Sequence, residues 1–388
     1  MIKVLTAYTF EADEPDIAVR EILEHLDIEH NVLKNTIGFI FCHADFIKSG
    51  IVEAIGEALP FELVGCTAMG IALPGVGGGE MILAVAVLTS DEVTFTTGLS
   101  EPLITEEEER IRKVYQDLSA SLEGPPSMIL TFQPRLNKLG GDLIVKILDR
   151  LFEGAPIFGT SALDVNVNPK LESPMTIYNG KAYADRLALL VLHGGVAPQF
   201  AIDSIGGQKT QSQKALITVT EGNRIVSINN MPAVTYMENI GLINNGDFDM
   251  LYAFPLSIDK HNGEKPNTCI ILSINDDGSL ICGSSVPAGS TLNIGSPSSE
   301  EVLRTAANIT SWAKKEQGRA LLFIFSCFSR SIALLESTEE INLIQNELED
   351  ADFPYIFLYS GGEICPVFNE NDRQVNRYHN YAIISCLL

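Results

Sequence analysis

The sequence has little positive charge and no long apolar run. It carries 26 lysine and arginine residues against 50 aspartate and glutamate residues, for a formal net charge of −24. A surface this negative repels phosphate backbones and anionic headgroups, so we expect neither nucleic acid nor membrane as a partner. Apolar runs such as Ile82 to Leu88 are far shorter than the roughly 20 residues that cross a bilayer.

Metal-binding and catalytic motifs are also scarce. No two of the 7 cysteines have CxxC spacing, no two of the 6 histidines lie four residues apart, and no GxSxG sequence occurs. We therefore expect no metal and no cofactor. The glycine-rich run Gly75 to Gly79 precedes a strand rather than a helix, which favours a hairpin over a phosphate loop.

The cysteines and the first residues indicate a cytoplasmic protein. The odd number of cysteines and their apolar, strand-like surroundings favour free thiols in a reducing compartment. Met1 to Phe10 has no basic start and is followed by Glu11, Asp13 and Glu14, so we expect no signal peptide.

One pattern occurs three times along the 388 residues: a strand, a helix, a proline, a second strand, a glycine-bearing turn and a closing strand. The first strands of the three copies are predicted at Ile37–Cys42, Ser127–Phe132 and Ala320–Cys327. A right-handed crossover should pair the first two strands of each copy in parallel. Small polar residues then gather at the carboxyl ends of the strands, where open α/β sheets hold ligands.

Several element boundaries follow from local signals. We predict one helix from Phe46 to Leu59, and a last strand from His379 to Leu388. Capping boxes are predicted at Thr105–Glu108, Ser298–Glu301 and Ser337–Glu340.

The character of the sequence changes after Ala197. Short strands alternate there with turn signals such as Asn244–Asp247 and Asp276–Gly278, which is typical of an antiparallel sheet. We predict two domains, residues 1–197 and 198–388. The fold class is α/β and α+β, with mixed β-sheets flanked by helices and repeated strand–helix–strand units.

The glycine turns resemble those of the FIST sensory domains. In the first half the resemblance lies in Val64–Gly70 and in Ile157–Asp164, with Tyr178-Asn179-Gly180 downstream. In the second half it lies in four ordered motifs: Ile228–Ala233, Phe325–Arg330, Tyr359–Ile364 and His379-Asn380. The chain departs from the family pattern at Thr160, where a glycine is usual, near Leu163, where another glycine is usual, and at Ile71, where a glutamate is common.

This resemblance implies a sensor of a small ligand, with amino acids the suggested class, whose occupancy is passed to a signalling output. No kinase, cyclase, methyl-accepting or F-box segment is visible, so a separate signalling protein is the implied receiver. The ligand contacts are placed at eleven residues of the turns and strand ends: Cys66, Thr67, Thr160, Ser161, Asp164, Cys327, Arg330, Gly362, Glu363, His379 and Asn380.

Arg330 and Glu363 could bind the two ends of a zwitterion, the guanidinium taking a carboxylate and Glu363 an ammonium group. The alternatives are that they pair with each other or lie exposed on the surface.

The other candidates also have two interpretations. His379 could contact a ligand, act as a base towards Cys327, or be structural. The turns at Cys66-Thr67 and Thr160-Ser161 could bind a carboxylate with their backbone N–H groups. Alternatively, these turns contain small residues only because the chain turns tightly there. Asp164 could orient an ammonium group or cap a loop.

Two further functions remain open at this point. Cys327 or Cys66 could be the nucleophile of a hydrolase or transferase acting on a small metabolite. The acidic helix faces could instead bind a basic protein partner. We favour the sensor and expect no enzymatic activity.

Overall fold

Three structurally equivalent units make up most of the molecule. The computed structural model describes residues 2–79, 81–122, 124–136, 139–164, 174–205, 214–243, 251–261, 266–316, 318–351, 353–369 and 371–388. About 26% of the chain is helix and 39% is strand, in several mixed sheets flanked by helices, which is an α+β fold.

Unit 1 contains an edge strand, a parallel strand pair joined by helices, a hairpin and a closing strand. Its elements are β1 (Lys3–Thr9), α1 (Pro15–Leu26), α2 (Ile28–Asn31), β2 (Asn35–Cys42), α3 (Asp45–Lys48), α4 (Ile51–Ala58), β3 (Glu62–Thr67), β4 (Met69–Leu73), β5 (Val76–Gly79) and β6 (Leu83–Ser90). The predicted helix over Phe46–Leu59 is divided in two, because Gly50 adopts a left-handed φ of 81° between α3 and α4. The glycine-rich run forms the β4–β5 hairpin, as predicted.

Unit 2 repeats this order of elements. They are β7 (Thr94–Leu99), α5 (Glu107–Ser119), β8 (Met128–Gln133), α6 (Gly141–Leu151), β9 (Ile157–Ser161), β10 (Thr176–Tyr178), β11 (Lys181–Tyr183) and β12 (Ala188–His193). The capping box predicted at Thr105–Glu108 is not formed, since α5 begins after Glu106 without a side-chain cap.

Unit 3 has the same order, interrupted after its edge strand by an insertion, residues 214–294. The unit begins with β13 (Gln199–Ser204). The insertion contributes β14 (Ala215–Glu221), β15 (Arg224–Ile228), β16 (Met231–Pro232), α7 (Ala233–Asn239), β17 (Leu256–Asp259), β18 (Asn267–Cys269), β19 (Ile271–Ile274), β20 (Leu280–Cys282) and β21 (Thr291–Ile294). The unit resumes with α8 (Ser299–Ala313), β22 (Leu322–Cys327), α9 (Phe328–Ala333), α10 (Glu339–Glu347), β23 (Tyr355–Ser360), β24 (Glu363–Phe368), β25 (Gln374–His379) and β26 (Ala382–Leu387).

Three sequence predictions in unit 3 have different outcomes. The capping box at Ser298–Glu301 is confirmed. The one at Ser337–Glu340 is wrong, because Thr338 precedes α10 without a side-chain cap. The predicted last strand is divided: His379 ends β25, and Asn380 lies in the turn before β26.

The insertion forms its own antiparallel sheet, as the turn signals predicted. The strand order is β18-β17-β21-β14-β15-β20-β19, with β16 paired to β15. The predicted turn at Asp276–Gly278 links β19 to β20, and Gly278 has a left-handed φ of 77°. The predicted turn at Asn244–Asp247 lies outside the described residues.

Each unit's hairpin completes the sheet of another unit. The three six-stranded sheets have the orders β1-β6-β2-β3-β10-β11, β7-β12-β8-β9-β24-β25 and β13-β26-β22-β23-β4-β5. Unit 1 therefore gives its hairpin to unit 3, unit 3 to unit 2, and unit 2 to unit 1. The two halves of the sequence share sheets, and the boundary proposed at Ala197 falls between β12 and β13.

The inner faces of the three sheets enclose one apolar core. Edge-to-face and stacked aromatic contacts link β2, β8, β9 and β22, and such pairs add to the stability that apolar burial gives. The rings concerned are Phe39, Phe41, Phe132, Phe158, Phe323 and Phe325. The helices pack on the outer faces in separate clusters. Since the faces of the sheets are occupied by apolar contacts, the units meet through polar residues at the ends of the strands.

Candidate functional site

The parallel strands of each unit end side by side, as the repeat predicted. Because the strands are parallel and in register, the carboxyl ends of both lie at one edge of the sheet. The paired last residues are Cys42 and Thr67 in unit 1, Gln133 and Ser161 in unit 2, and Cys327 and Ser360 in unit 3.

Backbone hydrogen bonds join the turns of the three units. The Ser161 N–H donates to the Gly362 carbonyl at 2.9 Å, and the Gly361 N–H donates to the Ser161 carbonyl at 3.0 Å. On the other side, the Leu163 N–H donates to the Thr67 carbonyl at 2.9 Å. The turn of unit 2 thus lies between those of units 1 and 3, and the structure brings the predicted turn residues together.

Arg330 is fully buried and forms an ion pair with Glu340, a residue that the sequence analysis did not select. Both Nε and Nη2 donate to Glu340 Oε1, at 3.1 and 2.5 Å. Nη2 also donates to the Val302 carbonyl at 3.0 Å, and Nε to Ser326 Oγ at 3.1 Å. Surface exposure of Arg330 and pairing with Glu363 are therefore both wrong, while Nη1 is buried without a hydrogen-bond partner among the described residues.

Glu363 is the second buried charge-bearing group of the site. It begins β24, directly after the Gly361-Gly362 turn, and its exposure is 0%. Ser360 Oγ donates to Oε1 at 2.9 Å, whereas Oε2 has no hydrogen-bond partner of normal geometry among the described residues. Burial raises the pKa of this carboxyl well above its usual range, although Ser360, the Ala382 N–H, Arg330 and Cys327 all act in the opposite direction.

Cys327 and His379 do not form a nucleophile–base pair. Burial, and then the nearby Glu363 carboxyl, raise the pKa of the Cys327 thiol to about 12. The His379 ring lies within hydrogen-bonding distance of the Cys365 carbonyl at 3.3 Å, and burial lowers the pKa of His379 to about 4. A thiol activated for catalysis has a lowered pKa, so this arrangement favours neutral groups.

Asn380 lies where unit 3 meets the insertion. The side chain is 2% exposed, and neither amide atom has a hydrogen-bond partner of normal geometry among the described residues, although the amide lies near enough to the Tyr378 hydroxyl to lower its pKa. A Cβ built on Gly283 of the insertion would lie 2.8 Å from Asn380 Oδ1. A larger residue at position 283 would therefore require the Asn380 amide to move.

Tyr378 is a buried site residue that the sequence analysis missed. Its hydroxyl accepts from Ser161 Oγ and donates to the Gly361 carbonyl, both at 3.4 Å. Burial raises the pKa of Tyr378 above its ordinary value. Its position next to the His379-Asn380 motif was the available signal.

The polar groups of the first-half turns are occupied by the protein itself. The Thr67 N–H donates to the Met175 carbonyl at 2.8 Å, and Thr67 Oγ1 accepts from the Met175 N–H at 2.9 Å. Thr160 Oγ1 donates to the Gly362 carbonyl at 2.9 Å. Burial raises the pKa of the Cys66 thiol. These bonds favour the interpretation that the turns need small residues, and ligand contacts at Cys66, Thr67, Thr160 and Ser161 stay a prediction.

Asp164 is the last described residue before residues 165–173. Its role stays a prediction.

The insertion is docked over the strand ends. The Gly141 N–H, at the start of α6, donates to the Gly283 carbonyl at 3.1 Å. Asp142 Oδ1 accepts from the Ser285 N–H at 2.8 Å and from Ser285 Oγ at 2.9 Å. The Tyr381 hydroxyl donates to the Ala253 carbonyl at 2.9 Å. We call the buried group covered in this way the strand-end cluster: Ser161, Cys327, Arg330, Glu340, Ser360, Glu363, Tyr378 and Asn380.

The described part of the chain also bears on metal sites, membrane spans and disulfides. No group of His, Cys, Asp or Glu side chains there could hold a metal ion. No helix among the described residues is long and apolar enough to cross a membrane. All seven cysteines are free and buried.

Comparison with protein families identifies both halves of the chain. Residues 36–231 match the FIST N domain and residues 233–366 match the FIST C domain. The protein therefore belongs to the FIST family, whose domains are associated with sensing in signal transduction and with small-ligand binding. No curated protein matches the chain significantly. The two family matches meet inside the insertion, near β16; the domain boundary at Ala197 stays a prediction.

Proposed function

We propose that this protein senses a small polar metabolite, which binds at the strand-end cluster. One observation carries the proposal: polar atoms of three neighbouring motifs are buried without a hydrogen-bond partner of normal geometry among the described residues, namely Arg330 Nη1, Glu363 Oε2 and both amide atoms of Asn380. Burying unpaired polar groups is costly in a folded protein. A ligand that bonded to them would recover this free energy.

The proposal extends to the class of ligand and to the protein that receives the signal. An amino acid or a similar small metabolite fits a site that offers guanidinium, carboxyl and amide groups. Occupancy would be passed to a separate signalling protein in the cytoplasm. We infer a binding module rather than an enzyme, because the raised pKa of Cys327 and the lowered pKa of His379 oppose nucleophilic catalysis.

The docked insertion offers a way to report occupancy. The Gly283–Ser285 segment lies directly against Asn380 and Asp142, so a ligand bound at Asn380 would lie beside this segment. Binding would therefore change how the insertion packs on units 2 and 3.

A thermal-shift screen of polar metabolites tests the proposed function. We expect a true ligand to raise the melting temperature of the wild-type protein by mass action. Glu363→Gln and Asn380→Ala should reduce the shift, whereas Glu316→Gln, which alters a partly exposed ion pair with Arg319 outside the cluster, should leave it unchanged. The proposal fails if no metabolite stabilises the protein, or if both cluster variants respond as the wild type does.

A further inference from the structure

The charges of the strand-end cluster are not evenly matched. The positive charge of Arg330 is balanced by Glu340, which accepts from two of its nitrogen atoms. Glu363 is equally buried, yet no cationic side chain among the described residues lies within ion-pair distance of it. The cluster thus contains one cation and two potential anions.

The groups facing Glu363 do not supply the missing charge. Arg330 of α9 acts on it only from beyond ion-pair distance, and Cys327 at the end of β22 is a neutral thiol. Across the sheet, Glu363 is in register with His379 of β25 on one side and Thr160 of β9 on the other. Tyr378 of β25 is a neutral phenol, and the His379 ring is neutral because burial lowers its pKa to about 4.

A buried carboxylate without a counterion is strongly disfavoured, so such a group stays protonated until a cation arrives. The raised pKa of Glu363 agrees with this expectation. With Glu363 protonated and Arg330 paired to Glu340, the empty cluster has no net charge.

We propose that the strand-end cluster selects a monocationic amine with an uncharged hydrogen-bond acceptor, and that Glu363 releases its proton when the amine binds. This inference rests on the proposed function and narrows its ligand class. The ammonium group pairs with Glu363 Oε2, and the acceptor, a carbonyl or hydroxyl oxygen, takes the free Nη1 donors of Arg330. The carboxyl O–H bond breaks, its proton leaves to solvent, and the carboxylate remains paired with the ammonium group.

Charge balance separates this class from free amino acids. An amine with a neutral acceptor replaces the Glu363 proton by one positive charge, so the occupied cluster stays neutral. A free amino acid bound in the same way would add a carboxylate beside Glu340 and the ionised Glu363. The buried cluster would then hold one uncompensated negative charge, which costs several kcal/mol in a protein interior.

A matched ligand series tests the inference. The probes are α-amino acid amides, the corresponding free amino acids and their N-acetyl derivatives, with affinities measured by titration calorimetry on the full-length protein. We expect the amides to bind at least about tenfold more tightly than the free amino acids, and the N-acetyl compounds not to bind. Binding in phosphate and Tris buffers, which differ in ionisation enthalpy, should reveal release of close to one proton per amide at pH 7.

Variants and alternative outcomes complete the test. Glu363→Gln should abolish proton release, while Glu316→Gln should keep it; if the first variant does not fold, the wild-type proton count decides. Free amino acids binding as tightly as the amides, or amide binding without proton release, would overturn the inference and leave the proposed function standing. No binding anywhere in the series would also overturn it, and the metabolite screen would then judge the proposed function separately.

Discussion

At the scale of single residues, the behaviour of the site depends on Glu363. Its pKa is raised in the folded protein, so the folded state binds more protons than the unfolded state above pH 4.5. The free energy of unfolding therefore decreases as the pH rises from the unfolded pKa towards the folded one.

The replacement Glu363→Gln tests this directly. The amide mimics the protonated carboxyl, so we expect the variant to match the wild type near pH 4.5 and to be more stable than it at pH 8. Urea unfolding at the two pH values, with Glu316→Gln as the control, measures the difference. The predicted sign would be wrong if the free energy of unfolding of the wild type increased, relative to that of the variant, as the pH rises.

The Arg330–Glu340 ion pair makes a second prediction. Arg330→Met leaves Glu340 buried without its cation, and breaking a buried pair in this way costs about 3–5 kcal/mol. Removing both charges in Arg330→Met/Glu340→Leu should recover part of the loss. The control is Lys314→Met, because Lys314 pairs with Glu347 at the surface, where such pairs contribute about 0–1 kcal/mol. Chemical denaturation of the wild type and the three variants measures these free energies of unfolding. If Arg330→Met and the double variant lose the same stability, the unpaired Glu340 charge is not the cause of the loss.

Some of these residues could be predicted from the sequence and others could not. Arg330 and Glu363 were detectable because each follows a short apolar strand. Glu340 was not, because in the sequence it is one of several glutamates at the start of an acidic helix, and only the fold directs it inward. The same limit applies to Asn380: its contact with Gly283 depends on a docking that no local pattern encodes.

At the scale of elements, two glycines occupy equivalent places in units 1 and 2. Gly65 and Gly159 each lie two residues before the end of the second parallel strand. A Cβ on Gly65 would lie 1.8 Å from the Ile40 carbonyl oxygen, and one on Gly159 would lie 1.9 Å from that of Thr131. Only a residue without a side chain lets the paired strands approach so closely.

We therefore expect Gly65→Ala to destabilise the protein by about 1–3 kcal/mol or more, as overpacking of a rigid interior does. Gly195→Ala is the matched control, since a Cβ there has no neighbour within 4 Å and the residue does not have a left-handed φ. Thermal unfolding of both variants measures the contrast. Similar melting temperatures for the two would show that the strands can separate at no cost.

Element prediction succeeded where the signals were local. The first parallel strand of each unit (β2, β8 and β22) and the capping box of α8 are examples. It failed at α5 and α10, where a Ser/Thr–Glu spacing was present but the backbone did not adopt the capping geometry. Exchange of hairpins could not be predicted, because it depends on pairings between strands that are distant in sequence.

At the scale of the whole molecule, the exchanged hairpins join the halves of the chain. Unit 2 lacks its β24–β25 hairpin if the chain stops at residue 197, and β9 is then left with an unpaired edge. We expect a fragment of residues 1–197 to remain largely unfolded or to aggregate. Circular dichroism and size-exclusion chromatography of the fragment, beside the full chain, provide the test; a stable monomeric fragment would support the boundary at Ala197.

The hairpin exchange has a consequence for synthesis on the ribosome. The β4–β5 hairpin leaves the exit tunnel long before β23, the strand with which it pairs. In the same way, β9 is synthesised long before its partner β24. These nascent segments expose open hydrogen-bonding edges until the last part of the message is translated. Co-translational protection, by a chaperone or by transient local structure, is therefore a requirement that this topology places on the cell.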